Sequence, residues 1–194
     1  MAHNPDHPKG KHIRPLIWED IRFCPRCGQP YPTPLQSPRV CPACRRSFYP
    51  DPRLVACAVL WVDGAIALVR RTFKDTGWML PGGHVDRTEK VEAALIREIA
   101  EETGITASVL RLLDVFSQPG DSPVLIVYEA QGQGIPRAQG ETASAALFFP
   151  TNLPWEQLAS AVTAQAIARA LGLPRTPKIP YTLDNQHNTS TEGS

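Results

Sequence analysis

A chain of 194 residues, 42% hydrophobic, has enough material for one well-packed core and a small additional module. Twenty Lys and Arg stand against 19 Asp and Glu, a formal net charge of +1. That balance gives no support to duplex DNA or an acidic membrane as a partner, since both ordinarily require a basic excess, and nucleic acid is not the expected partner. It leaves room for a small anionic substrate.

Residues 1–21 are polar and proline-rich and read as a flexible arm without the apolar segment of a secretory signal. No run approaches the roughly 18 apolar residues that span a bilayer. A cytoplasmic chain with reduced cysteines is therefore expected.

Residues 22–50 carry four cysteines and little apolar periodicity, so this segment needs a staple to fold. Cys24-Pro25-Arg26-Cys27 and Cys41-Pro42-Ala43-Cys44 form two C-x2-C pairs thirteen residues apart. Two such knuckles can place four thiolates around a structural Zn²⁺. Two disulfides, or a redox pair, are the weaker alternatives in a cytosolic chain whose pairs open no helix. Arg22, Arg26, Arg39, Arg45 and Arg46 make the segment basic.

From Leu54 the pattern changes. Leu54–Val62 and Ala65–Arg71 read as strands joined at Asp63-Gly64, a hairpin signal. A short strand is expected at Trp78–Leu80, broken by Pro81-Gly82-Gly83. A helix is expected over 88–103, with Thr88 as N-cap and Gly104 as its stop. Strands follow at 109–117, 124–131 and 146–149, with a glycine-rich loop over 131–140. A last helix is expected from Trp155 to Leu171, started by Pro154. Residues 173–194 read as a disordered tail. The order implies an α/β domain over 53–172, with a sheet between helices.

The helix over 88–103 carries the chemistry. At about 100° per residue, with Glu98 at zero, Glu101 falls at about −60° and Glu102 at about +40°. Three carboxylates therefore share one face, while Leu95, Ile96, Ile99 and Ala100 fall on the side expected to meet the sheet. Small Ala94 is expected to leave space above the acids. Clustered carboxylates repel. Arg97, four residues before Glu101, offsets part of this, and a hard divalent cation such as Mg²⁺ or Mn²⁺ would offset more. A solvated acidic face is the bland alternative.

The stretch Gly83, Glu89, Arg97-Glu98-Ile99, Glu101-Glu102, Gly104-Ile105 resembles the Nudix box at every fixed position. The resemblance implies a Nudix α/β/α sandwich with a mixed sheet, preceded by a small zinc ribbon. It implies a hydrolase that cleaves a nucleoside diphosphate linked to another moiety. Glu98, Glu101, Glu102 and the Gly82 carbonyl match positions that bind Mg²⁺ or Mn²⁺, and Glu89 and Arg97 match positions that orient helix and loop. Gly82 and Gly83 permit close substrate approach. Arg71 is a candidate phosphate contact, or equally a solvated strand-end charge. Glu141 is a candidate metal ligand or base, or a plain loop acid.

Ser117-Gln118-Pro119 begins like a segment of NADH pyrophosphatases, but the aromatic pair that follows in them is missing. The chain length and the Leu153-Pro154-Trp155 region look more like shorter zinc-ribbon members described as ADP-ribose pyrophosphatases, so the resemblance favours an ADP-ribose-like substrate over NADH or NAD. A nucleotide- or nucleic-acid-sensing module is the alternative to an enzyme. A homodimer is compatible with the sequence but not specified by it.

Overall fold

The computed structural model describes residues 21–35, 38–49, 52–72, 77–117 and 123–174. The chain divides into two compact units, Met1–Pro52 and Arg53–Ser194. Residues 1–20 of the expected arm and 175–194 of the expected tail lie outside the described residues.

In the first unit two knuckles repeat one backbone device. The N–H of Gly28 donates to the Cys24 carbonyl (2.9 Å), and the N–H of Arg45 donates to the Cys41 carbonyl (3.0 Å). Each turn ends on a left-handed residue, Gly28 at φ 72° and Arg45 at φ 59°. Strands β1 (Arg39–Val40) and β2 (Ser47–Phe48) pair antiparallel and flank the second knuckle. Cys24, Tyr31 and Cys41 form the small core, too little apolar surface to hold without a staple.

The second unit is built on β3 (Leu54–Val62), β4 (Ala65–Arg71), β5 (Gly82–His84), β6 (Thr106–Phe116), β7 (Val124–Gln133) and β8 (Thr142–Phe148), with helices α1 (Val91–Thr103) and α2 (Ala161–Ala170). The sheet order is β6-β7-β3-β4-β8, with β5 also on β3. Among the strands of the described residues, β3 and β7 are the pair that run parallel, from Leu54↔Val124 to Trp61↔Gln131. Strand β3 alternates between two cores, as a period of two requires. Cys57 and Val59 pack with Ile167 of α2, while Ala56, Ala58, Leu60 and Val62 pack with Leu95 and Ile99 of α1. The α/β/α sandwich is thus observed.

Strand β3 changes partner along its length. It pairs β5 through Val55–Cys57 and β4 through Leu60–Val62. The fork between β4 and β5 brings Arg71, at the end of β4, beside Gly82.

Four local expectations require correction. Helix α1 begins at Val91 with Lys90 as N-cap, not at Thr88, which sits at φ 72°. The turn over Asp86–Glu89 serves Arg97 instead of opening the helix. Trp78 and Met79 make only isolated bridges, and Gly82–His84, expected as a breaker, is a strand. The last helix is interrupted after short 3-10 turns at Pro150–Asn152 and Trp155–Gln157. Trp78 explains the break: its N–H donates to the Gln157 carbonyl and its carbonyl accepts from Ala159 N–H, both at 2.7 Å. The helix restarts where Ser160 Oγ accepts from Thr163 N–H. Finally, Ile96 and Ala100 are exposed, whereas Ala94 is fully buried. The buried arc of α1 runs through Ala94, Leu95, Ile99 and Glu102, so the acidic face is partly the buried face.

Candidate active site

A cleft of about 320 Å³ is lined by Arg71, Gly83, His84, Glu98, Glu101, Glu102 and the Gly140-Glu141 pair. Three elements converge there: the end of β4, the β5–α1 segment and the loop before β8.

The three helix acids differ in depth. Their side chains are 8% exposed at Glu102, 18% at Glu98 and 60% at Glu101, so Glu102 forms the floor. Glu102 Oε2 accepts from the Gly82 N–H at 2.9 Å, and Arg71 Nη2 lies 3.7 Å from Oε1. Burial dominates nevertheless and pushes the Glu102 carboxyl up to about 7; the Gly82 N–H and Arg71 oppose the rise, and Glu98 and Glu141 add to it. Arg71 Nη2 also reaches the Gly82 carbonyl at 3.5 Å.

Arg97 organises the outer acids. Its Nε and Nη2 donate to the two oxygens of Glu89, both at 3.1 Å, a bidentate pair. Nη1 donates to Glu98 (2.8 Å) and Glu101 (3.3 Å), and Nη2 also to the His84 carbonyl (3.2 Å). The guanidinium holds the Glu89 carboxyl below its ordinary range. One planar cation therefore ties the β5–α1 segment to the helix, a role that suits Arg better than Lys.

Gly83 is dictated by Glu98. A Cβ there would stand 2.3 Å from the Glu98 carboxylate. Gly82, at φ 146°, would place a Cβ 2.2 Å from the Ala56 carbonyl.

Glu141 is fixed through its backbone. Its carbonyl accepts from both the N–H (3.1 Å) and the hydroxyl (2.7 Å) of Thr72. The loop before it covers the end of α1: Arg137 N–H donates to the Thr103 carbonyl and Gln139 N–H to the Glu102 carbonyl. These bonds satisfy helix-terminal carbonyls that would otherwise lack partners. Sequence reasoning missed Thr72, because its partner lies 69 residues away and no local pattern signals it.

Both donor sets suit the metals the sequence suggests. Glu98, Glu101, Glu102, Glu141 and the Gly82 carbonyl offer only oxygen, which matches Mg²⁺ or Mn²⁺. In the ribbon, Cys24, Cys27, Cys41 and Cys44 have all sulfurs within 4.8 Å of one another. Cys24–Cys44 and Cys27–Cys41 are 3.7 and 3.5 Å apart. A tetrahedral site with Zn–S of about 2.3 Å requires an S–S edge of about 3.8 Å. Burial opposes ionisation of Cys24, but the N–H groups of Arg26 and Cys27 bring its thiol down to about 6. The Cys44 N–H likewise lowers Cys41. Thiolate is the form zinc takes. Among the described residues only the cysteines converge so closely; in the cleft, arginines neutralise the acids instead. Cys57, in contrast, is buried without a cation, and its thiol is pushed up to about 12.

A hydrolase-type cleft on an α/β/α sandwich is the class that fold and site define. The chain belongs to the NUDIX domain family, whose model matches residues 51–169. An ADP-ribose pyrophosphatase of Methanocaldococcus jannaschii is 36% identical over 112 residues, 54% of this chain and 66% of that one. An NAD-capped RNA hydrolase NudC of Citrobacter koseri is 34% identical over 111 residues, 55% of this chain and 42% of that one. The chain thus spans less than two thirds of the length of either relative. The crystal structure of a NUDIX hydrolase from Nitrosomonas europaea superposes with a TM-score of 0.68 over 82% of this chain and 97% of that one, at 22% identity, which establishes the shared fold. No helix among the described residues is long and apolar enough to cross a membrane.

Proposed function

We propose that this chain hydrolyses the pyrophosphate bond of a nucleoside diphosphate linked to a second moiety, with Mg²⁺ or Mn²⁺, and that its substrate is ADP-ribose-like. The observation that carries this reading is the buried Glu102, held by the Gly82 N–H in a cleft that also holds Glu98, Glu101, Glu141 and Arg71. The bound cation would neutralise phosphate charge and acidify water. Glu98, Glu101, Glu102 and the Gly82 carbonyl would hold it, with Glu98 turning from Arg97 to do so.

Pyrophosphate cleavage is mainly positioning and charge neutralisation. Arg71, at the cleft wall with a side chain 39% exposed, is placed to meet a phosphate oxygen. Glu141 is our choice of base: it takes a proton from water while the water oxygen bonds to phosphorus and the bridging P–O bond breaks. Arg97 and Glu89 position the acids without touching substrate. The relative acting on ADP-ribose supports the substrate class. The NudC relative keeps NAD-linked substrates as the second reading. The segment that would distinguish them, Gln118–Ser122, lies outside the described residues.

The test is AMP release from ADP-ribose, NADH, NAD⁺ and FAD with each metal, for wild type and Glu141→Gln. ADP-ribose should lead, and the variant should lose at least about a hundredfold in kcat, the usual scale of a general base. Full activity of Glu141→Gln would move the base elsewhere, and no turnover of any substrate would favour a binding module. Light scattering on the whole chain tests the homodimer.

A further inference from the structure

The near-zero net charge of the chain conceals a segregation. Residues 21–49 contain five arginines and no lysine, aspartate or glutamate. Even with four thiolates on a divalent cation, this module keeps a net positive charge. One arginine serves the fold: Arg39 is buried, donates to the Ile21 carbonyl, and lies 5.9 Å over the Tyr31 ring. The other four, Arg22, Arg26, Arg45 and Arg46, are exposed, and no ion pair among the described residues engages them.

Aromatic side chains accompany these charges. Phe23 is 60% and Tyr49 66% exposed on a module whose own core is three residues. A cavity of about 350 Å³ lies between Arg26, Arg46, Tyr31 and the half-buried Phe48. Exposed arginines alone suit any polyanion. Exposed aromatic faces add something only where bases are unstacked and can lie on them. Among its described residues the module has no helix to enter a major groove, which disfavours a duplex as the ligand.

We propose that the cysteine ribbon binds single-stranded nucleic acid. Arg26 and Arg46 hold a phosphate at the cavity, whose Phe48 ring receives a base. Arg22 and Arg45 extend the phosphate contacts, and Phe23 and Tyr49 extend the stacking. This does not rest on the hydrolase reading, because the ligand needs no pyrophosphate and the residues lie outside the cleft. It also revises the expectation drawn from total charge.

The experiment uses the zinc-loaded full chain and a labelled mixed-sequence 12-mer, read by fluorescence anisotropy across a salt series, as RNA, as DNA and as duplex. Single strands should bind best, and the RNA and DNA arms show which sugar is preferred. Arg26→Gln with Arg46→Gln should weaken binding at least about tenfold and flatten the log–log salt slope by about 0.7, the value for the one phosphate they share. Phe23→Ser with Tyr49→Ser, both exposed, should weaken it about fivefold or more. Zinc content and AMP release from the nucleotide substrate should stay at wild-type values in both variants, showing that ribbon and hydrolase fold persist. No binding at the lowest salt overturns the proposal, as does tighter binding of duplex. So does wild-type binding by either double variant, or displacement of the oligonucleotide by polyglutamate at equal charge, which would mark a surface for acidic proteins.

Discussion

The Glu102 carboxylate lies 2.9 Å from the Gly82 N–H, beneath a surface that leaves its side chain 8% exposed. A carboxyl held at about 7 in the folded protein stands well above its unfolded value of about 4.3. The folded state therefore keeps the proton more tightly than the unfolded one. The associated stability is complete below about pH 4.3 and is lost as pH rises to about 7, at most about 4 kcal/mol. Without added Mg²⁺ or Mn²⁺, wild type should thus be less stable at pH 8 than at pH 5. Glu102→Gln, which cannot ionise, should remove that part of the pH dependence and raise Tm at pH 8 while abolishing turnover. Tryptophan fluorescence reads the transition, since Trp61, Trp78 and Trp155 lie in the second unit. Parallel melting profiles for variant and wild type from pH 5 to 8 would refute the assigned burial effect.

The adjacent glycines should fail in different ways. At Gly83 the obstacle is the far end of the Glu98 side chain, which can swing aside. Gly83→Ala should therefore fold with a nearly unchanged Tm but bind Mn²⁺ at least about tenfold more weakly, as follows from displacing one carboxylate ligand. At Gly82 the obstacles are the backbone of Ala56 and Cys57, and φ is 146°. Gly82→Ala should lower Tm sharply or prevent folding. Mn²⁺ titration by electron paramagnetic resonance, with circular dichroism melts, separates the two. Equal Tm losses would show that Glu98 is as rigid as the sheet.

These glycines mark how far sequence reasoning reaches. The hairpin at Asp63-Gly64, the α1 stop at Gly104 and the cysteine spacing are local signals, and the structure has each where residue chemistry puts it. The start of α1 was misread because Arg97, eight residues on, claims Glu89 and with it the turn that would have been a cap. The break before α2 was misread because Trp78 takes the Gln157 carbonyl from a segment about eighty positions away in the chain. The buried status of Glu102 was equally invisible: helical phase groups it with Glu98 and Glu101, but only the sheet decides which acid lies deepest.

The ribbon yields a prediction of its own. Cys41 is fully buried, and the apolar core it forms with Cys24 and Tyr31 is only three residues. Cys41→Ala should lose zinc, because three thiolates leave the tetrahedron open. Without the metal the segment should unfold and expose the buried Arg39 to trypsin. Wild type should carry one zinc per chain, measured with a chromogenic chelator, and resist cleavage at Arg39. A variant that keeps its zinc and its resistance would mean the thiols do not act together.

Thr72 offers the most discriminating substitution, because it acts on the site without lining it. Its hydroxyl and N–H both hold the Glu141 carbonyl, so the hydroxyl can be removed while the backbone bond stays. Thr72→Val should cost about 1 kcal/mol of stability, the usual net worth of one hydrogen bond. A base that wanders loses alignment more than affinity, so kcat should fall about tenfold while KM stays within about twofold. Thr72→Ser keeps the donor and should restore kcat. A Thr72→Val enzyme with normal kcat, beside a crippled Glu141→Gln, would show that the carboxylate needs no tether. Normal rates in both would remove Glu141 from the chemistry and return the role of base to the acids of α1.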